Sequence, residues 1–250
     1  MRSRRPVRII LTGLIISVAA LLIVIGGYSF WRYHRPLPDN TREALFEGIT
    51  YVRDVRHAPR PLILNVVMID LNTPNLQFFV TPGEPFQGRA LRAQTTSQFL
   101  KKHALQLAIN ADFFTPWWTH TIFDYYPHPG DPVDVNGFAS SEGRAYSPTK
   151  PDLPTLYLSR DNHAQFNAPP NEVYNAFSGN ALFLERGQLA AQMLANDYND
   201  ELHPRTAVAL DRTGRIMLLF VVDGRQPNYS EGVTLAELGQ IIIEYGGDTA

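Results

Sequence analysis

The chain has 250 residues, 44% hydrophobic and 18% charged, the composition of an ordinary globular protein. A formal net charge of −2 offers no basic footprint for nucleic acid. Cysteine is absent, which excludes disulfides, thiolate metal sites and a cysteine nucleophile together.

From Ile9 to Trp31 no charged residue occurs, and Ile, Leu, Val and Ala dominate. About 20 apolar residues cross a bilayer core as a helix, and the apolar region of a cleaved signal is usually shorter. Arg2, Arg4, Arg5 and Arg8 precede the run, while Arg32 and Arg35 follow it. That excess places the N-terminus in the cytoplasm and the body of the chain outside, periplasmic or extracellular. The expected order is a basic tip over 1–8, a single-pass transmembrane signal anchor over 9–31 and a linker over 32–48. Arg35-Pro36-Leu37-Pro38-Asp39-Asn40 makes that linker stiff, because prolines favour extended backbone. Within it, Thr41–Phe46 is predicted as a short helix capped by Thr41.

Residues 49–250 have the length of one sizeable domain. Strands are expected over Ile49–Arg56, Pro61–Leu71 and Leu76–Val80, with loop at Pro82–Pro85 and a helix at Thr96–His103. Leu105–Phe114 reads as a buried strand ending in Asn110-Ala111-Asp112-Phe113-Phe114. Thr115–Lys150 is turn-rich, long for a structureless loop, and such loops are often functional. Further strands are predicted at Thr155–Ser159, Val173–Ser178 and Ala181–Glu185. Two apolar runs, Thr206–Leu210 and Ile216–Val222, then flank the turn Asp211-Arg212-Thr213-Gly214. The second is almost unbroken Ile, Met, Leu, Phe and Val, the pattern of a central strand buried on both faces. Leu235–Glu244 reads as an amphipathic helix stopped by Gly246-Gly247, after which a new strand begins. The pattern gives the α+β class: a single mixed-sheet domain with flanking helices behind an N-terminal transmembrane helix.

Polar groups gather where Ile216–Val222 breaks into Asp223-Gly224-Arg225, and Pro204-Arg205-Thr206 adds an arginine and a hydroxyl. Strand ends are where rigid sheets carry sites. Taken alone, Asp223 and Arg225 read as an ion pair stabilising a turn. Asn110 and Asp112 share one face of their predicted strand through its period of two, with capping of the next turn as the alternative. Ser178-Gly179-Asn180 reads as a tight turn; Ser178, Thr206 and Ser230 are hydroxyl donors or local caps. His120, Asp124, His128, Asp131 and Asp134 are metal-ligand types at spacings that match no ligand motif. Trp117, Trp118, Phe123, Tyr125 and Tyr126 either stack on sugar rings or pack beneath their own loop.

In order along the chain, Asn110–Phe114, Ser178-Gly179, His203-Pro204-Arg205-Thr206 and Val221-Val222-Asp223-Gly224-Arg225 followed by Ser230-Glu231-Gly232-Val233-Thr234-Leu235 resemble the phosphodiester glycosidase family. The resemblance runs from roughly Ile63 to Ala250 and is most specific over Pro204–Leu235. It implies hydrolysis of a sugar-1-phosphodiester linkage in an envelope or exported glycan. On that reading Arg205 and Arg225 hold phosphate bidentately, and Asp223 and Asp112 are the catalytic carboxylates at an oxocarbenium-like transition state. Asn110, Thr206, Ser178, Gly179 and Ser230 then bind the substrate, a phosphate-linked glycan. In that family a further strand ends in Asp-Gly-Gly-Gly-Ser, which this sequence stops short of, so the chain reads as C-terminally truncated. No cofactor is expected, a divalent metal at the His/Asp loop being the lesser alternative. Two other readings stand beside this one: a non-catalytic module binding exopolysaccharide or envelope glycan, and a metal-dependent phosphodiesterase.

Overall fold

The computed structural model describes residues 5–190 and 200–250, with side chains from residue 13 onward. Arg2 and Arg4 of the expected basic tip lie outside the described residues. Helix α1 (Arg5–Tyr33) contains a segment, Gly13–Tyr33, long and apolar enough to cross a bilayer, with a mean hydropathy of 2.2. Its Leu14, Ile23, Val24 and Phe30 side chains are all exposed. A helix apolar on every side has no single stripe to bury against its own domain.

Two sheets carry that domain. Their strands in chain order are β1 (Thr41–Phe46), β2 (Ile49–Arg56), β3 (Leu62–Asp70), β4 (Ala139–Ser141), β5 (Arg144–Ser147), β6 (Thr155–Leu158), β7 (Ala164–Phe166), β8 (Asn175–Ser178), β9 (Arg205–Asp211), β10 (Ile216–Val222) and β11 (Gly247–Thr249). The first sheet runs β1-β2-β3-β10-β9-β11 and the second β5-β4-β8-β6-β7. Neighbours within each pair antiparallel.

The unbroken apolar run of β10 follows from its place in the middle layer. Leu218, Phe220 and Val222 point to one side, where they meet Leu64 and Val66 of β3 and the buried face of helix α3 (Leu235–Glu244). Met217 and Leu219 point the other way, against Leu156 and Leu158 of the second sheet. A strand covered on both faces needs an apolar residue at every position. The buried residues Leu235, Leu238, Ile241 and Ile242 fall at helical spacing. Thr234 and Glu237 start α3 with a reciprocal capping box, at 3.1 and 2.9 Å. Helix α2 (Thr96–Lys102) begins with the same device, built from Thr95 and Gln98.

Three sequence expectations fail, each for a local reason. Thr41–Phe46 is a strand, because pairing with Ile49–Arg53 supplies a ladder, whereas six residues cannot offset the cost of nucleating a helix. Leu76–Val80 pairs with no strand. Its carbonyls are taken by side chains instead: Asn162 donates to Leu76 O at 2.9 Å, Asn175 to Phe78 O at 2.7 Å and Ser141 to Val80 O at 2.6 Å. In Leu105–Phe114 only Phe114 pairs, opposite Val135, although Leu107 and Ile109 pack into the core between the sheets. The apolar pattern there signalled burial, not strand pairing. Ala181–Glu185 also shortens to Leu184–Glu185, paired with Gln188–Leu189. The turn-rich stretch is organised into short pairs, among them Trp118–Thr119 with Tyr125–Tyr126.

β9 enters the sheet through His203-Pro204, which two glycines clasp. A Cβ on Gly224 would lie 2.4 Å from Pro204 N, and one on Gly232, where φ is +99°, would lie 2.5 Å from His203 O. His203 and Val233 exchange backbone hydrogen bonds across this clasp at 3.2 and 3.1 Å. Ser230, fully buried, closes it: its Oγ accepts the Ile63 N–H at 3.0 Å and donates to Asp223 O at 2.7 Å. Gly224→Ala and Gly232→Ala should each lower the unfolding free energy by roughly 2–4 kcal/mol. Gly179→Ala, whose Cβ would meet its nearest neighbour at 3.9 Å, should cost less than about 1 kcal/mol. Urea denaturation of the three variants checks this, and equal costs would refute the clasp.

Candidate functional site

At the end of the first sheet, on the face turned toward the second, the apolar surface gives way to a polar row. Arg53 stands opposite Asn65, Asn65 opposite Val221 and Val221 opposite Thr206. Residues in register across a sheet share a face. Tyr51 donates to Asn65 Oδ1 at 2.7 Å, and Thr206 donates to Asn110 Oδ1 at 3.1 Å. The second bond seats the 105–114 segment on the sheet. Two residues on, Asp112 accepts the backbone N–H of Ser178 at the end of β8. Ser178 Oγ donates to Phe138 O at 3.0 Å and lies 3.0 Å from Thr155 Oγ1, while the Gly179 N–H donates to Pro154 O at 2.8 Å. Asn110 and Asp112 thus bridge one sheet to the other. Both line a cavity of about 680 Å³ whose other walls include Tyr146, Phe78, Ile109 and Phe177.

Asp112 and Asp223, the latter just past the end of β10, are electrostatically distinct. Burial pushes Asp112 up to about 7, and the N–H from Ser178 only partly opposes it. Tyr146 is driven upward by burial and by the nearby Asp112 charge. Asp223 is also raised by burial, but the guanidiniums of Arg35 and Arg53 pull it back. A carboxyl near half-protonation at neutral pH suits a proton carrier, and one faced by cations suits a charge stabiliser.

The structure brings Asn110 and Asp112 to the cavity wall, sets Thr206 against Asn110 and Ser178 against Asp112, and distributes the other expected residues differently. Arg205 precedes Thr206 and so points to the opposite, helix-bearing face, where its Nε donates to Val233 O at 3.0 Å and its Nη2 to Glu201 O at 3.3 Å. Arg225 Nη2 donates to His203 Nδ1 at 3.2 Å. That bond needs a bare Nδ1, which leaves the proton on Nε2, 3.2 Å from Glu201 Oε2. The cations acting on Asp223 are Arg35 and Arg53. Ser230 is an internal tie between β3 and β10.

In the long loop, His120 lies 2.9 Å from Asp124 and His128 3.3 Å from Asp131, while Asp134 pairs with Arg89 at 2.6 Å. Among the described residues no three His, Asp or Glu side chains converge as a metal-holding group. Trp118 stacks on Tyr126 at 4.5 Å, whereas Trp117 and Phe123 are 65% and 87% exposed. Sequence reasoning missed Arg35, Tyr51, Arg53 and Asn65. Asn65 left a signal, the one amide in the apolar run Leu62–Ile69; Arg53 and Arg35 left none, since register and a linker contact place them.

A model of the phosphodiester glycosidase family matches residues 103–250. A search of curated proteins gives no match. Among solved structures, a Synechocystis protein is 14% identical with a TM-score of 0.54, covering 85% of this chain; the chain spans only 57% of that protein. The catalytic domain of zebrafish N-acetylglucosamine-1-phosphodiester α-N-acetylglucosaminidase, auto-inhibited by its pro-peptide, is 15% identical with a TM-score of 0.51 over 87% of this chain and 71% of its own. A Burkholderia pseudomallei protein is 12% identical with a TM-score of 0.57 over 78% of this chain and 68% of its own. At these identities the likeness is one of fold.

Burial raises Asp112 from 3.8 to about 7 in the folded chain, so the folded state holds that proton more tightly than the unfolded state. Its contribution to stability falls as pH rises through that window and stays lost above it. Asp112→Asn keeps an oxygen for the Ser178 N–H and removes the ionisation. Its melting temperature should exceed that of the native chain by several degrees at pH 8, with the gain shrinking toward pH 4. A difference that does not vary with pH would contradict the burial of this carboxyl.

Proposed function

The chain belongs to the phosphodiester glycosidase family, and from that premise we propose that its domain hydrolyses sugar-1-phosphodiester linkages of an envelope or exported glycan. We further infer that α1 holds the domain on the outer side of the cytoplasmic membrane. The observation that carries the catalytic reading is the pair of aspartates in different surroundings, Asp112 buried against Ser178 and Asp223 at the end of β10 within reach of Arg35 and Arg53, and we infer that both face one substrate.

Breaking a glycosidic C–O bond develops positive charge at the anomeric carbon, which a carboxylate stabilises. Asp223, next to the sheet's polar row, takes that role. Phosphate is a good leaving group and needs little protonation, so Asp112 serves the incoming water, accepting its proton as the new C–O bond forms. The bond between the anomeric carbon and the bridging oxygen breaks, leaving a phosphomonoester on the aglycone. Arg53 and the exposed Arg225 hold phosphate oxygens, as guanidiniums do bidentately. Asn110 and Thr206 bind the sugar's hydroxyls, while Ser178 and Gly179, whose own groups bond to Asp112, Phe138 and Pro154, fix the strand end that seats Asp112. Arg205 and Ser230 support the reaction by fixing the strand ends that carry Asp223 and Thr206.

Asp223→Asn and Asp112→Asn should each lower kcat/KM on a synthetic sugar-1-phosphodiester by at least about 100-fold while the fold is retained by circular dichroism. Arg53→Ala should act mainly on KM. Full activity in the double Asp variant would overturn the assignment. Glycan bound by the native chain without turnover would favour the binding-module reading, and activity lost to EDTA and restored by a divalent ion would favour the metal-dependent phosphodiesterase.

A further inference from the structure

The segment joining α1 to the first sheet is fastened to the domain. The Arg35 guanidinium lies 3.7 Å over the ring of Tyr229 and donates to Tyr229 Oη at 2.5 Å and to Gln226 Oε1 at 3.4 Å. Tyr229 is itself buried, in a cluster with Val55 and Ile63 on which Leu37 packs. Asn40 Oδ1 adds a bond from the Val55 N–H at 2.8 Å. Gln226 and Tyr229 belong to the turn that begins at Asp223, closed by Ser230 Oγ on Asp223 O. The strap therefore ends on the turn that carries the proposed catalytic carboxylate.

That attachment fixes how far the Asp223 turn can stand from α1. The helix ends at Tyr33, and extended chain advances about 3.5 Å per residue, so Arg35 lies within roughly 7 Å of the helix end. The last turns of α1 expose Tyr28, Phe30, Trp31 and Tyr33 beside Arg32. Aromatic and basic side chains at the end of an apolar helix settle at the headgroup level of a bilayer. The turn Asp211–Gly214 lies at the other end of β10, about 23 Å away at the usual rise per strand residue.

We propose that the Asp223–Ser230 turn faces the headgroup layer of the bilayer crossed by α1, and that Asp223 meets there a sugar-1-phosphodiester whose aglycone is a membrane lipid. This rests on the hydrolase and membrane-spanning readings above. A strap this short denies the site reach toward a polymer far from the membrane. It holds the site at a high effective concentration of any substrate confined to the same bilayer.

The chain has no cysteine, so single-cysteine variants take one label each. Full-length Pro227→Cys and Arg212→Cys, both at exposed positions, are labelled with a fluorophore and placed in phosphatidylethanolamine/phosphatidylglycerol vesicles carrying a headgroup spin label. Quenching at 227 should exceed that at 212 at least threefold; equal or reversed quenching overturns the placement whatever the activity. In the same vesicles, turnover of a long-chain lipid sugar-1-phosphodiester is compared with that of the corresponding water-soluble methyl ester. A flexible 12-residue Gly-Ser insert between Tyr33 and His34 should lower turnover of the lipid substrate at least tenfold and leave the methyl ester unaffected. An insert without effect, or a native preference for the methyl ester, overturns the lipid assignment. Turnover of neither substrate, with quenching still confined to 227, overturns the hydrolase reading and its lipid substrate together while the placement stands.

Discussion

β10 is covered on both faces, by α3 on one side and the second sheet on the other, and most of the molecule follows from that constraint. A strand in the middle layer cannot hold a polar side chain along its length without burying it. Its chemistry can appear only where the cover ends, and that is where Asp223 stands. The same cover explains why the ends of β3 and β10 are fastened by a buried hydroxyl. Ser230 satisfies the Ile63 N–H and the Asp223 carbonyl at once, groups that would otherwise be left unpaired in the interior. The two glycines that let His203-Pro204 pass beside that tie make the approach of β9 possible, and β9 delivers Thr206 to the crevice. Packing and site are therefore one construction.

Asp112 and Asp223 are set apart by their surroundings. Asp112 reaches the second sheet and finds one backbone N–H with little solvent, so its neutral form is favoured. Asp223 sits within the field of two guanidiniums, one from β2 and one from the strap that leads back to α1. Two aspartates of the same intrinsic acidity thus take on different protonation behaviour without any unusual residue. The strap gives this division a second consequence, since the Arg35 that tunes Asp223 also ties the Asp223 turn to the segment leading from the apolar helix.

Much of this was legible in the sequence wherever a single segment decides its own state. The unbroken run Ile216–Val222, the hairpin turn before it and the periodic helix Leu235–Glu244 were all readable from local pattern. The segments that misled were those whose partners are side chains distant in sequence. Leu76–Val80 looked like a strand because it is apolar and follows a turn, yet Asn162, Asn175 and Ser141 take the carbonyls that a neighbouring strand would have taken. The site divided in the same way. Asn110, Asp112 and Asp223 were visible as polar groups ending apolar runs. Arg53 and Asn65 become neighbours of Thr206 only through the register of four strands, which no local pattern encodes. Arg205 and Thr206, adjacent in sequence, were expected to share one ligand. A period of two sends them to opposite faces of the sheet.

The central claim is that the bond broken lies between the anomeric carbon and oxygen, not between phosphorus and oxygen. Hydrolysis of a sugar-1-phosphodiester by the full chain in 18O-labelled water, read by mass spectrometry of both products, distinguishes the two. The account predicts the label in the anomeric hydroxyl of the released sugar and an unlabelled phosphomonoester. Label in the phosphate would contradict it, because water would then have attacked phosphorus and the paired aspartates would have no anomeric charge to face.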